Sequence, residues 1–111
     1  MQRGDVYYAN LAPSRGAETQ KTRPVVIVSN NAANRASALV TVVPITSNVT
    51  RIYPFEVKLL AKGTGLDKDS KAMAQQVRTL DKGRLGLHVA GQVPGALMLK
   101  IDVALRLHLA L

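Results

Sequence analysis

At 111 residues the chain is sized for one domain with its own core and little room for a second. It has no cysteine, which excludes a disulfide framework, a thiolate nucleophile and cysteine-ligated zinc, and its two histidines, His88 and His108, are too far apart to suggest a metal site. Fifteen Lys and Arg against seven Asp and Glu leave a formal charge of +8, with seven cations in residues 1–60 and eight in 61–111, so the folded chain should present a positive face to a polyanion rather than trail a basic tail.

The N-terminus, Met1-Gln2-Arg3-Gly4-Asp5, enters a strand pattern directly, without the apolar stretch of a signal peptide. No run reaches the ~20 apolar residues of a membrane span. The expectation is a soluble, cytoplasmic protein without a membrane partner. Residues 5–11 predict a first strand, followed by a polar loop from Ala12 to Thr22 holding Pro13, Gly16, Glu18 and Lys21. Residues 24–29 are rich in β-branched side chains, the pattern of a central strand buried on both faces. Asn30 to Ser37 reads as a turn or short helix. Ala38 to Ile45 repeats the buried-strand pattern, with Pro44 marking its end or an edge. In residues 53–59, Phe55, Val57 and Leu59 alternate with Glu56 and Lys58, which predicts a half-exposed strand with the two charges outward.

Beyond Gly63 and Gly65 a strand is expected near 71–78, a turn at Asp81-Lys82-Gly83-Arg84, and a last strand over 86–93 in which His88 plays a structural part. From Pro94 the spacing becomes helical: Leu97, Ile101 and Leu105 lie four apart, and so do Leu99, Val103 and Leu107. That helix is apolar around more of its circumference than one packing face requires, and His108 falls in its last turn, where a cation suits the macrodipole. Many short strands and one terminal helix indicate a mostly β, antiparallel small barrel.

Two constellations can carry chemistry. Arg23 lies where the Gly16–Thr22 loop meets the strand at Pro24, which biases it to an extended backbone. Its planar fork can hold two phosphate oxygens at once. The competing reading is an arginine that closes the barrel end or pairs with Glu18. Pro44-Ile45-Thr46-Ser47 ends the other central strand. If the two strands are antiparallel neighbours, Thr46 and Ser47 come to face Arg23; if not, the Thr-Ser pair is turn chemistry.

Arg3-Gly4-Asp5-Val6-Tyr7-Tyr8-Ala9-Asn10-Leu11, Gly16-x-Glu18-x-x-Lys21-x-Arg23-Pro24-Val25-Val26-Ile27-Val28, Asn34-Arg35, Pro44-Ile45-Thr46-Ser47 and Gln76-Val77-Arg78-Thr79-Leu80-Asp81-Lys82-x-Arg84-Leu85 occur in that order, and Ile101-Asp102-x-Ala104-Leu105 closes the chain. This run of motifs resembles the MazF/PemK toxins from Arg3 to the C-terminal helix. The resemblance implies one endoribonuclease domain over 1–111, a homodimeric SH3-like barrel of the CcdB/PemK type. It also implies cleavage of single-stranded mRNA at short sequences, and neutralisation by a small acidic, MazE-like antitoxin. It places the catalytic arginine and threonine on Arg23 and Thr46. Glu18, Gln20, Ser47, Gln76, Arg78 and Arg84 match positions that line or support the RNA groove, with Lys21 in the same loop. Arg51 falls in the basic loop where members differ most, which is where base selection should vary.

No cofactor or metal is expected. RNA can be cut by attack of its own 2′-hydroxyl on the adjacent phosphorus, leaving a 2′,3′-cyclic phosphate and a 5′-hydroxyl. That needs a base, charge stabilisation for the phosphorane and a proton for the leaving oxygen. Arg23 suits the second need and Thr46 adds a hydroxyl to it. Arginine stays protonated at ordinary pH, so it is a poor base. Glu18 is the titratable group nearby and the candidate, unless water or substrate takes the proton. Tyr7, Tyr8, Tyr53 and Phe55 are too few for an extended stacking platform, so binding should lean on phosphates. The rivals are a non-catalytic RNA-binding barrel and a CcdB-type gyrase poison. The second fits poorly, because its activity depends on a tryptophan-containing tail and this chain has no tryptophan.

Overall fold

The computed structural model describes residues 1–18 and 21–111. The β-branched runs become the middle of an antiparallel sheet. Its strands are β1 (Asp5–Asn10), β2 (Thr22–Ile27), β3 (Leu39–Thr46), β4 (Glu56–Leu59), β5 (Ser70–Met73), β6 (Arg78–Asp81) and β7 (Gly91–Gln92). They lie in the order β4-β5-β3-β2-β1-β7, with β6 also paired to β3. One edge of β3 follows β2, and the other takes two partners in turn. Leu39–Val42 pairs with β6, and Ile45–Thr46 pairs with β5. Pro44 stands between these partners, opposite Val25, and the strand continues past it to Thr46. The change of partner curls the sheet into a half-barrel.

Two α-helices complete the described fold: α1 (Asn31–Ala36) and α2 (Gly95–Leu109). Asn30 caps α1, its side-chain oxygen accepting the Ala33 N–H at 2.8 Å. Pro94 precedes the first turn of α2, where a missing N–H costs nothing. Arg3 ties the N-terminus to this helix through an ion pair with Asp102 and a 2.9 Å bond from its Nε to the Val28 carbonyl.

Each central strand feeds two cores because successive side chains point to opposite faces. On one face Val6, Val26, Val43, Ile45 and Ala72 pack beneath Met98, Ile101 and Ala104 of α2. On the other, Ala9, Leu11, Val25, Ile27, Val42 and Leu80 close on one another as the sheet curls. This double burial is why β2 and the middle of β3 read as unbroken apolar runs. The helix spends only part of its apolar surface in this way. Leu99, Val103 and Leu107 stand on its outer side with 66%, 62% and 56% of their surface exposed.

Three sequence expectations are corrected. The strand expected near 71–78 is two strands, β5 and β6, separated by a single 3₁₀ turn at Ala74–Gln76. The strand expected over 86–93 shrinks to Gly91–Gln92: Leu87 is 94% exposed, and His88 sits exposed in a loop rather than in a structural row. Within that short stretch only glycine fits at position 91, since a Cβ there would meet the Thr64 carbonyl oxygen at 1.9 Å. Finally, Glu56 does not face outward. It is buried, and its carboxylate is paired with Lys71 at 2.9 Å.

Candidate active site

The register of β2 on β3 sets Val25 opposite Pro44, Val26 opposite Val43 and Ile27 opposite Val42. Continued by two residues, the same register brings Arg23 level with Thr46. Residues opposite one another in an antiparallel pair share a face. Arg23 therefore extends the buried row Ile27–Val25, and Thr46 extends the row Val40–Val42–Pro44, both on the face without α2. Where that core ends, the two rows open into a cleft of about 470 Å³ lined by Glu18, Lys21, Arg23, Thr46, Lys71 and Gln76, among others.

Three cations and one carboxylate meet in this cleft, so it is built for an anion. Arg23 is half-buried, at the start of a strand held on both edges. The Thr46 hydroxyl accepts the Asn48 N–H at 3.3 Å, which leaves its own proton to donate. Glu18 is exposed on the loop opposite, and its carboxylate accepts the Arg15 N–H at 2.6 Å.

The cleft continues at both ends. Arg23 and Lys21 also line a neighbouring hollow of about 270 Å³ with Tyr8, Ser47 and Lys68. Glu18 and Gln76 also line another of about 410 Å³ with Gln75 and Arg78. Together these hollows make an open groove suited to an extended chain rather than a pit for a small molecule. Ser47 does not join Thr46 in the central cleft. It is the next residue along, and alternation turns it to the other face of the sheet.

The remaining expected residues take distinct places. Arg78 lines the far hollow and donates to the Leu11 carbonyl at 3.3 Å. Arg84 donates to the carbonyls of Asn10 at 3.3 Å and Ala12 at 2.5 Å, so it holds the segment that leads from β1 into the Glu18 loop. Arg51 stands exposed beyond the cleft, its guanidinium 5.2 Å from the centre of the Tyr53 ring. Gln20, with Thr19, lies outside the described residues. Among the described residues no group of three or more His, Cys, Asp or Glu side chains comes together as a metal site.

Lys71 is the charged residue of the cleft that sequence reading missed, with Asn48 and Met73 beside it. It lies opposite Thr46 in the β3–β5 register. Its ammonium donates to Glu56 at 2.9 Å and to the Arg51 carbonyl at 2.7 Å. Burial pushes the Glu56 carboxyl up, but bonds from the Tyr53 N–H, Gln75 and Lys71, with the Lys71 charge, outweigh it and hold the group below its usual value. A strand carrying Lys opposite a strand carrying Glu was the available signal. It was hidden because alternation put Glu56 with the exposed Lys58.

A curled antiparallel sheet backed by one helix, with a cationic groove at the open end of its second core, defines a protein that handles an extended polyanion. The comparisons with known proteins make the class specific. Residues 2–109 match the family of PemK-like, MazF-like toxins of type II toxin–antitoxin systems. The chain is 44% identical to the endoribonuclease MazF9 of Mycobacterium tuberculosis, covering all of this chain and 98% of the relative. It is 38% identical to the endoribonuclease EndoA of Bacillus subtilis, covering all of this chain and 96% of that one. The fold superposes on a mycobacterial endoribonuclease solved in complex with its cognate antitoxin, with TM-score 0.83 and 34% identity over all of this chain and 96% of the other. It also superposes on MazF from Deinococcus radiodurans, with TM-score 0.86 and 26% identity over all of this chain and 97% of the other. This chain belongs to the PemK/MazF-like toxin family.

Proposed function

We propose that the endoribonuclease activity of this toxin cuts single-stranded RNA at short specific sequences, by attack of the substrate's 2′-hydroxyl and without a metal. The observation that carries the reading is the meeting of Arg23 and Thr46 where two core rows open into a cationic groove. The 2′-oxygen bonds to the adjacent phosphorus and the bond to the 5′-oxygen breaks. Glu18 takes the 2′-hydroxyl proton. Arg23 donates two hydrogen bonds to the phosphorane oxygens, and Thr46 donates a third. The leaving 5′-oxygen takes a proton from Arg23 or from water.

The groove-lining residues Lys21, Gln76 and Arg78 grip flanking phosphates and bases, with Ser47 in the hollow beyond Arg23. Gln20 is assigned to RNA binding on the family resemblance. The whole chain, 1–111, acts as one domain in the cytoplasm, where its RNA substrate is; among the described residues no helix is long and apolar enough to cross a membrane. An acidic antitoxin neutralises a toxin of net charge +8, and the outward Leu99, Val103 and Leu107 stripe of α2 supports a homodimer.

Incubation with a long unstructured RNA in the presence of a chelator tests the reading. The expected products are discrete fragments with 2′,3′-cyclic phosphate and 5′-hydroxyl ends. Intact RNA, or fragments with 3′-hydroxyl and 5′-phosphate ends, would overturn it. Glu18→Gln separates the base from the stabiliser. The variant should cut more slowly while still binding RNA, and cleavage at the wild-type rate at every pH would remove Glu18 from the mechanism.

A further inference from the structure

Beside the groove, a buried ion pair is bonded to an exposed stack. Glu56 and Lys71 have side chains only 2% and 11% exposed and lie 2.9 Å apart. The carboxylate also accepts the Tyr53 N–H at 3.0 Å and the Gln75 amide at 2.7 Å. Lys71 in turn donates to the Arg51 carbonyl at 2.7 Å. The pair therefore grips the backbone of the same short segment at Arg51 and again at Tyr53. What that segment displays is a column. The Arg51 guanidinium sits 5.2 Å from the Tyr53 ring centre, and Tyr53 stacks on Phe55 at 5.3 Å with the rings 2° from parallel. Tyr53 is 41% exposed.

A buried ion pair is seldom the cheapest way to stabilise a fold, because desolvation cancels much of its attraction. A well-packed apolar pair of the same size would serve β4 and β5 as well. What such a pair could not do is donate to one carbonyl and accept from one N–H of an adjoining loop. Lys71 is also a wall of the central cleft, opposite Thr46. The pair thus fixes the Arg51–Tyr53 column relative to the cleft that holds Arg23 and Thr46. Planar cationic and aromatic faces at a fixed distance from the scissile phosphate are suited to a nucleobase, by stacking and hydrogen bonding.

We propose that Glu56 and Lys71 are positioning residues that hold the Arg51–Tyr53 segment as a base-reading surface at the edge of the groove, so that the pair governs which sequences are cut. This rests on the reading of the cleft as an RNA-cutting site. Removing Lys71 alone would strand a buried carboxylate, so the informative protein is the double variant Glu56→Gln/Lys71→Met. It keeps an acceptor for the Tyr53 N–H and leaves no unpaired charge, but has no donor for the Arg51 carbonyl. Its melting temperature establishes that it is folded.

Two measurements on the full chain decide the matter. Without RNA, amide hydrogen exchange at Thr50 and Tyr53, whose N–H groups are bonded to Asn48 and Glu56 on either side of Arg51, should rise about tenfold. With RNA, the ratio of cleavage at the preferred site to the next-best site should fall about tenfold; a loss of rate shared by the two sites reports the missing cleft cation and cancels in that ratio. Unchanged exchange overturns the proposal, and so does faster exchange with discrimination intact. Wild-type protein that leaves RNA whole would defeat the RNA-cutting reading, and with it the base-reading role. The exchange measurement would then judge the anchoring of the segment by itself.

Discussion

The two faces of the sheet start from the same strands and end differently. On one, the row Val26–Val43–Ile45 is sealed by Met98, Ile101 and Ala104 of α2. On the other, the rows through Val25 and Val42 are covered by no α-helix among the described residues and run out into Arg23 and Thr46. The first face shows how little of a fold need be functional to be indispensable. The second shows how a small protein obtains a precise site: it extends a packed row by one polar residue, so the core fixes the backbone from which the side chain departs. Arg23 is anchored by Val25 and Ile27 in a way that no loop residue could be.

The contrast can be broken from either side. Arg23→Ala should lower single-turnover cleavage of RNA by about 10²–10³, the usual effect of removing a preorganised donor, while the melting temperature hardly moves. A comparable loss of stability instead would mean that Arg23 closes the barrel. Ile101→Ala, a cavity under the helix, should cost ~2–5 kcal/mol of stability in chemical denaturation. Cleavage per folded molecule should stay the same, since nothing in the groove moves. Thr46→Val keeps the strand and removes one hydroxyl, and cleavage should fall by roughly three- to tenfold, the worth of one hydrogen bond.

The smallest effect concerns pH. The Glu56 carboxyl is held below its ordinary value of 4.5, so its contribution to stability is fully present above that pH and is lost as pH falls through the lower, folded value. Denaturation midpoints of the wild type and of Glu56→Gln should therefore differ in their slope below about pH 4.5 and run parallel above it. Parallel slopes throughout would show that the pair does not hold the charge as its geometry indicates.

Much of this was legible in the residues. β-branched runs at 24–29 and 38–45 identified the central strands, because only strands buried on both faces read so continuously apolar. The meeting of Arg23 and Thr46 followed only on the condition that these strands are antiparallel neighbours, and it was the family resemblance that singled the two residues out. Period four after Pro94 identified α2, and the surplus of apolar positions foretold its exposed stripe. Alternation misled at Glu56, since it says which residues share a face but not whether a second strand's lysine and a loop will cover that face. It also misled at 86–93, where residues 86–89 form an exposed loop and only Gly91–Gln92 pairs with β1.

Local chemistry thus determined by itself the two central strands and the C-terminal helix, because hydrophobic period is a property of neighbouring positions. Only the tertiary structure decided that Ser47 leaves the central cleft, that Arg84 braces a loop, and that Lys71 joins the cleft while gripping Arg51. Each of these depends on what another strand or loop, distant in the chain, brings against the side chain. No spacing along one segment encodes that.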